Sequence, residues 1–171
     1  MRPLFALLLV ALLSGCDDRS TLPPPPAVLT AEAVGHYCGM TVATHPGPKG
    51  QIYVAGQAEP VWFTSVRDTK VFTLLPEEPK DIRVIYVTDM GRANSWNAPG
   101  PGSWIEARGA VYVINSRRSG GMGAPEAVPF GDRAAAERFI AEQGGRVVSW
   151  DDIPADYVLG PTEAEAAHGQ H

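Results

Sequence analysis

The pattern of apolar and polar positions divides the chain into an apolar leader, a proline-rich stretch, a patterned middle and a polar tail. Leu4 to Leu13 is an unbroken apolar run of ten residues. That is the length of a signal-peptide core and too short to cross a bilayer of roughly 30 Å as a helix. In the middle, Gln51 to Ala55, Ile82 to Thr88, Ala110 to Ile114 and Arg146 to Trp150 read as strands. A helix is predicted inside each half. Thr64 or Ser65 caps the first, which reaches about Leu75, where Pro76 stops it. Asp132 caps the second, which runs through Gln143 and ends at Gly144-Gly145.

Two stretches repeat without gaps at an offset of 67 residues: Gly56, Glu59, Val61, Phe63 and Phe72 return as Gly123, Glu126, Val128, Phe130 and Phe139. Each stretch reads as a strand or turn, an aromatic, a polar cap and then a helix. The expected fold is therefore α+β, two similar ββαβ lobes packed together by internal duplication. The first lobe is expected over residues 31–88 and the second over 89–158. At the same offset Tyr37-Cys38-Gly39-Met40 faces Trp104-Ile105-Glu106-Ala107. The aromatic is kept and both sulfur residues are lost, so the sulfur pair is expected to be a specialisation of one lobe.

The leader has a basic start, Met1-Arg2-Pro3, and ends in Leu13-Ser14-Gly15-Cys16, which looks like a bacterial lipobox. Residues 1–15 are read as a signal peptide and Cys16 as the lipidated terminus, anchored by acyl chains worth about 0.8 kcal/mol per buried CH₂. Asp17 resembles a signal for retention in the inner membrane, facing the periplasm. Residues 16–30 contain Pro23 to Pro26 and read as an extended, semi-rigid tether. Residues 159–171 are expected to be a disordered tail. Arg2 is the one charged side chain in the leader, and its removal takes the formal charge from −5 to −6. No basic patch interleaved with aromatics is visible, which argues against a nucleic-acid partner.

Lipidation would consume one of the two cysteines and leave Cys38 alone in an oxidising compartment. Such a thiol asks for a purpose. In extended backbone, side chains two apart share a face, so Cys38 and Met40 would offer a thiolate and a thioether together, with Gly39 leaving room for a close approach. Soft sulfur donors select Cu(I). Zinc normally takes four nitrogen or sulfur ligands, and calcium or magnesium takes clustered carboxylates. Binding is expected to release the thiol proton and to weaken at low pH. Further donors are Met122 in a glycine-rich loop, His45 in the loop after the pair, and His36, which on a strand would share the face of Cys38. Met90 reads as strand-end packing, and His168 and His171 in the tail could scavenge metal weakly.

The ordered set of Cys38-Gly39-Met40, the loop from His45 to Ile52, Asp89-Met90 and the segment from Met122-Gly123 to Val128-Pro129-Phe130, behind a lipobox and a proline stalk, resembles the NosL family over roughly residues 36–153. The resemblance implies a fold like that of organomercurial lyase and no enzymatic activity. It implies a periplasm-facing Cu(I) chaperone for the copper-sulfur centre of nitrous oxide reductase, with that reductase and an ABC-type membrane complex as partners. The chaperone is expected to be a monomer or weak homodimer. In the family Cys38 and Met40 match the proposed copper ligands. Two other readings stay open: a thiol enzyme with Cys38 as nucleophile and His36 or His45 as base, and a metal-free adaptor lipoprotein.

Overall fold

The computed structural model describes residues 22–100 and 102–160. Cys16, most of the leader side of the tether, and His168 and His171 lie outside the described residues. Two antiparallel sheets carry the fold. The first contains β1 (Gly50–Val54), β2 (Val61–Phe63), β3 (Ile82–Thr88) and β4 (Trp104–Glu106), in the order β2-β1-β3-β4. The second contains β5 (Val111–Ile114), β6 (Val128–Phe130) and β7 (Arg146–Ser149), in the order β6-β5-β7. Helix α1 (Val66–Leu74) follows β2, α2 (Arg133–Gln143) follows β6, and the short α3 (Ala155–Leu159) closes the described chain.

The expected ββαβ order thus occurs twice, as β1-β2-α1-β3 and β5-β6-α2-β7. The helix boundaries follow from their caps. Ser65 Oγ accepts from Asp68 N at 3.0 Å, and Asp132 accepts from the N–H groups of Ala134 and Ala135. These bonds satisfy donors that have no partner within the first turn. Gly144, with φ of +72°, ends α2 in a conformation that costs a side-chain-bearing residue about 1–2 kcal/mol.

Strand register decides which side chains meet. Gly50 pairs with Phe63 and Val87, and Ile52 with Val61 and Ile85. These residues line the inner face of the first sheet. There they join Tyr112, Ile114, Trp150, Ile153 and Val158 of the second lobe in one continuous core. The two lobes therefore share their largest apolar cluster. A smaller cluster of Val113, Val128, Phe130, Ala135 and Ala136 lies between the second sheet and α2.

The repeat is less regular than the gapless offset implied. The β1–β2 connection spans residues 55–60, whereas the β5–β6 connection spans 115–127. Gly50 pairs with Phe63 but Val111 pairs with Phe130, so the central strands do not share the offset of the helices. Nor is Trp104–Glu106 the counterpart of the Cys38 segment. It forms β4, which pairs with β3 and extends the first sheet from beyond residue 88.

The proline run differs from a free stalk along its described part. Pro24 O accepts from Tyr86 Oη at 2.7 Å. The Gln51 side chain bonds Ala27 at both ends, accepting from its N–H at 2.8 Å and donating to its carbonyl at 3.1 Å. Gln51 is wholly buried, and a buried amide left without partners would cost about 1–3 kcal/mol. Polyproline backbone leaves its carbonyls unpaired, so each side supplies what the other lacks. The segment is a strap across the first sheet.

Candidate metal centre

Cys38 and Met40 lie on a tight turn rather than on a strand. Gly35 N donates to Met40 O and Gly39 N to Gly35 O, both at 2.9 Å, while His36 N donates to Trp62 O at 2.8 Å. The turn is bracketed by the bridge between Val34 and Thr41. It closes because Gly39 takes a φ of +66°, a left-handed conformation that glycine enters freely. A Cβ at Gly39 would meet nothing within 4 Å. Its role is therefore backbone geometry, not clearance for a neighbour. Gly35 supplies the clearance: a Cβ there would stand 2.7 Å from Cys38 Sγ.

Side chains from the first lobe hold the turn in place. Glu78 Oε1 receives Tyr37 Oη at 2.9 Å and pairs with His36 Nε2 at 3.0 Å. Burial and this carboxylate push the Tyr37 hydroxyl well above the usual tyrosine range. The His36 ring packs edge-on against Phe63 and Phe72. Cys38 Sγ lies 3.7 Å from Thr64 Oγ1, just ahead of the α1 cap. The thiol is free and half-buried.

The cleft beside Cys38 has a volume of about 290 Å³ and is lined by residues of both lobes, among them Tyr37, Arg67, Met122 and Glu126. Met122 is 53% exposed. It sits on a hairpin closed by the Ser119–Pro125 bridge and the bond from Gly120 N to Ala124 O. The structure thus brings Cys38 and Met122 to one opening from opposite lobes. Met40, 40% exposed, stands on the same turn as Cys38 but outside the lining of the cleft.

The histidines separate. His36 is not on a strand beside Cys38, and its Nε2 is committed to Glu78. His45 Nδ1 lies 3.0 Å from Thr41 O. A carbonyl only accepts, so Nδ1 carries a proton and Nε2 is the ring nitrogen left to face a metal, the orientation typical of metal-bound histidine. His45 also packs beside the methionine hairpin, since a Cβ at Gly121 would approach its Cβ to 2.9 Å. Met90 is partly buried against the smaller core cluster, as expected of a packing residue.

Glu126 carried no signal as a site residue beyond its place in the repeat. It is 1% exposed. Its Oε1 accepts from Arg67 N at 3.0 Å and Ala127 N at 2.9 Å, while Oε2 is buried without a hydrogen-bond partner. Burial pushes its carboxyl up to about 8, against the pull of the two N–H bonds. Among the described residues, no three of His, Cys, Asp and Glu cluster as a metal-binding group. Sulfur is the distinctive donor here. No imidazole is bonded to the Cys38 thiol among the described residues, whose hydrogen-bond neighbour is Thr64.

Fold and site together define a two-lobed α+β protein that presents a thiol and thioethers on loops at the seam between its lobes. The NosL family model matches residues 26–158, most of the chain. The chain belongs to the NosL family. The copper-binding lipoprotein NosL of Achromobacter cycloclastes is 46% identical over 155 residues, 90% of this chain and 80% of the relative. That of Stutzerimonas stutzeri is 32% identical over 168 residues, 97% of this chain and 85% of the relative. The crystal structure of the copper chaperone NosL from Shewanella denitrificans matches with a TM-score of 0.72 at 33% identity, covering 78% of this chain and 98% of that one. The solution structure of apo-NosL from Achromobacter cycloclastes matches with a TM-score of 0.51 at 47% identity, covering 67% and 92%. Family membership and the two-lobe α+β fold are as expected. The relatives bear the names of a lipoprotein and a chaperone rather than of an enzyme, in agreement with the non-enzymatic reading. No described helix is long and apolar enough to cross a membrane.

Proposed function

We propose that this chain is a Cu(I)-binding lipoprotein, anchored through Cys16 in the inner membrane and facing the periplasm, that delivers copper for assembly of the copper-sulfur centre of nitrous oxide reductase. Its partners are that reductase and an ABC-type membrane complex. The observation that carries the metal reading is the convergence of Cys38 and Met122 on one cleft, with Met40 on the turn that bears Cys38. A thiolate with thioethers suits a soft monovalent ion. Membership in a family whose relatives are named copper-binding lipoproteins supports the same conclusion.

The donors have distinct parts. Cys38 supplies the anionic sulfur and must lose its proton on binding. Met40 and Met122 supply neutral sulfur from exposed side chains that can let go of the metal. His45 Nε2 is the nitrogen best prepared to join them. Exposure of both methionines leaves the ion open to the ligands of an acceptor, which suits transfer rather than storage. Competition against a chromophoric Cu(I) chelator tests the reading. One Cu(I) per protein is expected, with affinity sharply reduced in Cys38→Ser and lowered in Met40→Ala and Met122→Ala. Undiminished uptake by Cys38→Ser would overturn it.

A further inference from the structure

A site drawn from two lobes works only if the lobes keep their donors in register. On the first lobe the Cys38 turn is tied to the end of β2 and the start of α1, through the His36 N bond to Trp62 O and the Cys38–Thr64 contact. On the second, Met122 rides the Ser119–Pro125 hairpin. The Glu126 side chain links these two parts. Glu126 leaves the base of that hairpin, and its Oε1 accepts from Arg67 N in the first turn of α1. Its other oxygen lies under the hairpin itself, where a Cβ at Gly120 would come within 2.7 Å of Oε2. The Glu126 carbonyl in turn accepts from Tyr157 Oη at 3.0 Å, which steadies its backbone.

We propose that Glu126 is a positioning residue for the copper site, pinning the Met122 hairpin to the N-terminal turn of α1 and so setting where the thioether stands relative to Cys38. This rests on the Cu(I) reading above. The carboxyl suits the role because its upward-shifted acidity leaves much of it protonated near neutrality. It then adds little charge to a buried seam while Oε1 still accepts two N–H bonds. Its repeat counterpart Glu59 is exposed and lies in the shorter β1–β2 connection, so the pin belongs only to the lobe that carries Met122.

Cu(I) affinity, measured by chelator competition in four variants and in each combined with Met122→Ala, tests this. Glu126→Ala removes the tie, and a loss of about tenfold is expected, the lower range for residues that orient metal ligands. Glu126→Gln keeps an oxygen for both N–H groups and should stay within about twofold of the parent. Gly120→Ala disturbs the same contact from the hairpin side at a backbone position without positive φ, and should also lose affinity, by about threefold or more. In the Met122→Ala background the losses from Glu126→Ala and Gly120→Ala should shrink to about twofold or less, since a pin acting through Met122 has nothing left to position. Losses that persist undiminished in that background, or parental affinity in folded Glu126→Ala or in Gly120→Ala, would overturn the proposal. Should Glu126→Ala fail to fold, Gly120→Ala and Glu126→Gln carry the same comparison. Parental affinity in Cys38→Ser, the fourth variant, would mark failure of the Cu(I) reading itself; loss there with no effect of the Glu126 and Gly120 changes would sink the pin alone.

Discussion

Replacing Glu126 by Gln should change how stability responds to pH more than it changes stability at any one acid pH. In the fold the carboxyl titrates at about 8, against 4.5 for an unburied glutamate. Between those values the folded protein keeps a proton that the unfolded chain has released. The unfolded state then binds fewer protons, so stability falls as pH rises, by at most about 1.4 kcal/mol per pH unit. Across pH 5.5 to 7.5 this single group is worth about 2–3 kcal/mol. Its contribution is fully present below about pH 4.5 and gone once pH passes about 8. Asp68, raised by burial, pulls in the same direction and is common to parent and variant. Lys49, lowered to about 8 by burial, has the opposite sign but acts above pH 8. Glutamine keeps the bonds to Arg67 N and Ala127 N and cannot titrate, so the difference between parent and variant isolates Glu126. Urea unfolding at half-unit steps from pH 5.5 to 7.5 reads it. The variant should gain on the parent steadily as pH rises. Parallel profiles would show that the carboxyl is ionised and solvated in the fold, and the buried-acid reasoning would be wrong.

Other substitutions probe the surrounding parts. Gly39→Ala places a side chain at φ +66° in open space, so it should cost about 1 kcal/mol in thermal unfolding and weaken Cu(I) uptake by loosening the turn. Gln51→Leu removes both bonds to Ala27 and should make the chain around residues 22–30 susceptible to limited proteolysis while leaving copper affinity at the parental level. Asp132→Ala deletes the α2 cap and should lower stability by about 1 kcal/mol without touching metal binding, which serves as a control that lost stability alone does not mimic a lost ligand. Glu78→Gln keeps an acceptor for Tyr37 but weakens the pairing with His36; at their exposure the change in stability should stay below about 1 kcal/mol.

Features legible in the sequence were those whose causes are local. Ser65 and Asp132 announce helix starts because they are placed to accept N–H groups two or three residues on. Gly144 announces an end because its conformation excludes most side chains. Periodicity gave β1, β3, β5 and β7 within a residue at each end, but left β2 and β6 as strand or turn and did not mark β4. Cys38 and Met40 stood out as candidate soft donors because they lie two residues apart, and the structure sets both on one turn. Features that were missed depend on distant partners. The proline run looked like a stalk because its own chemistry leaves carbonyls open, and nothing nearby reveals that Gln51 and Tyr86 reach out to fill them. The extended backbone expected at Cys38 failed because Gly35 and Gly39 together fold those residues into a turn. Glu126 looked like a repeat residue, and only burial against α1 distinguishes it from Glu59.

The departure from strict duplication is where the second lobe acquires its part in the site. The β1–β2 connection of the first lobe is short, residues 55–60, and the β5–β6 connection of the second is longer, residues 115–127. The added length has room for the hairpin that displays Met122 and for Glu126, which ties that hairpin to the opposite lobe. Because both lobes feed one core, they cannot drift apart without exposing apolar surface, which costs about 25 cal/mol per Å². The shared core therefore sets the distance between the lobes, while the thioethers of Met40 and Met122 stay exposed at the surface. On the proposed reading, a donor set built this way would hold a soft cation at a fixed address, and handing over the ion would require no opening of the fold.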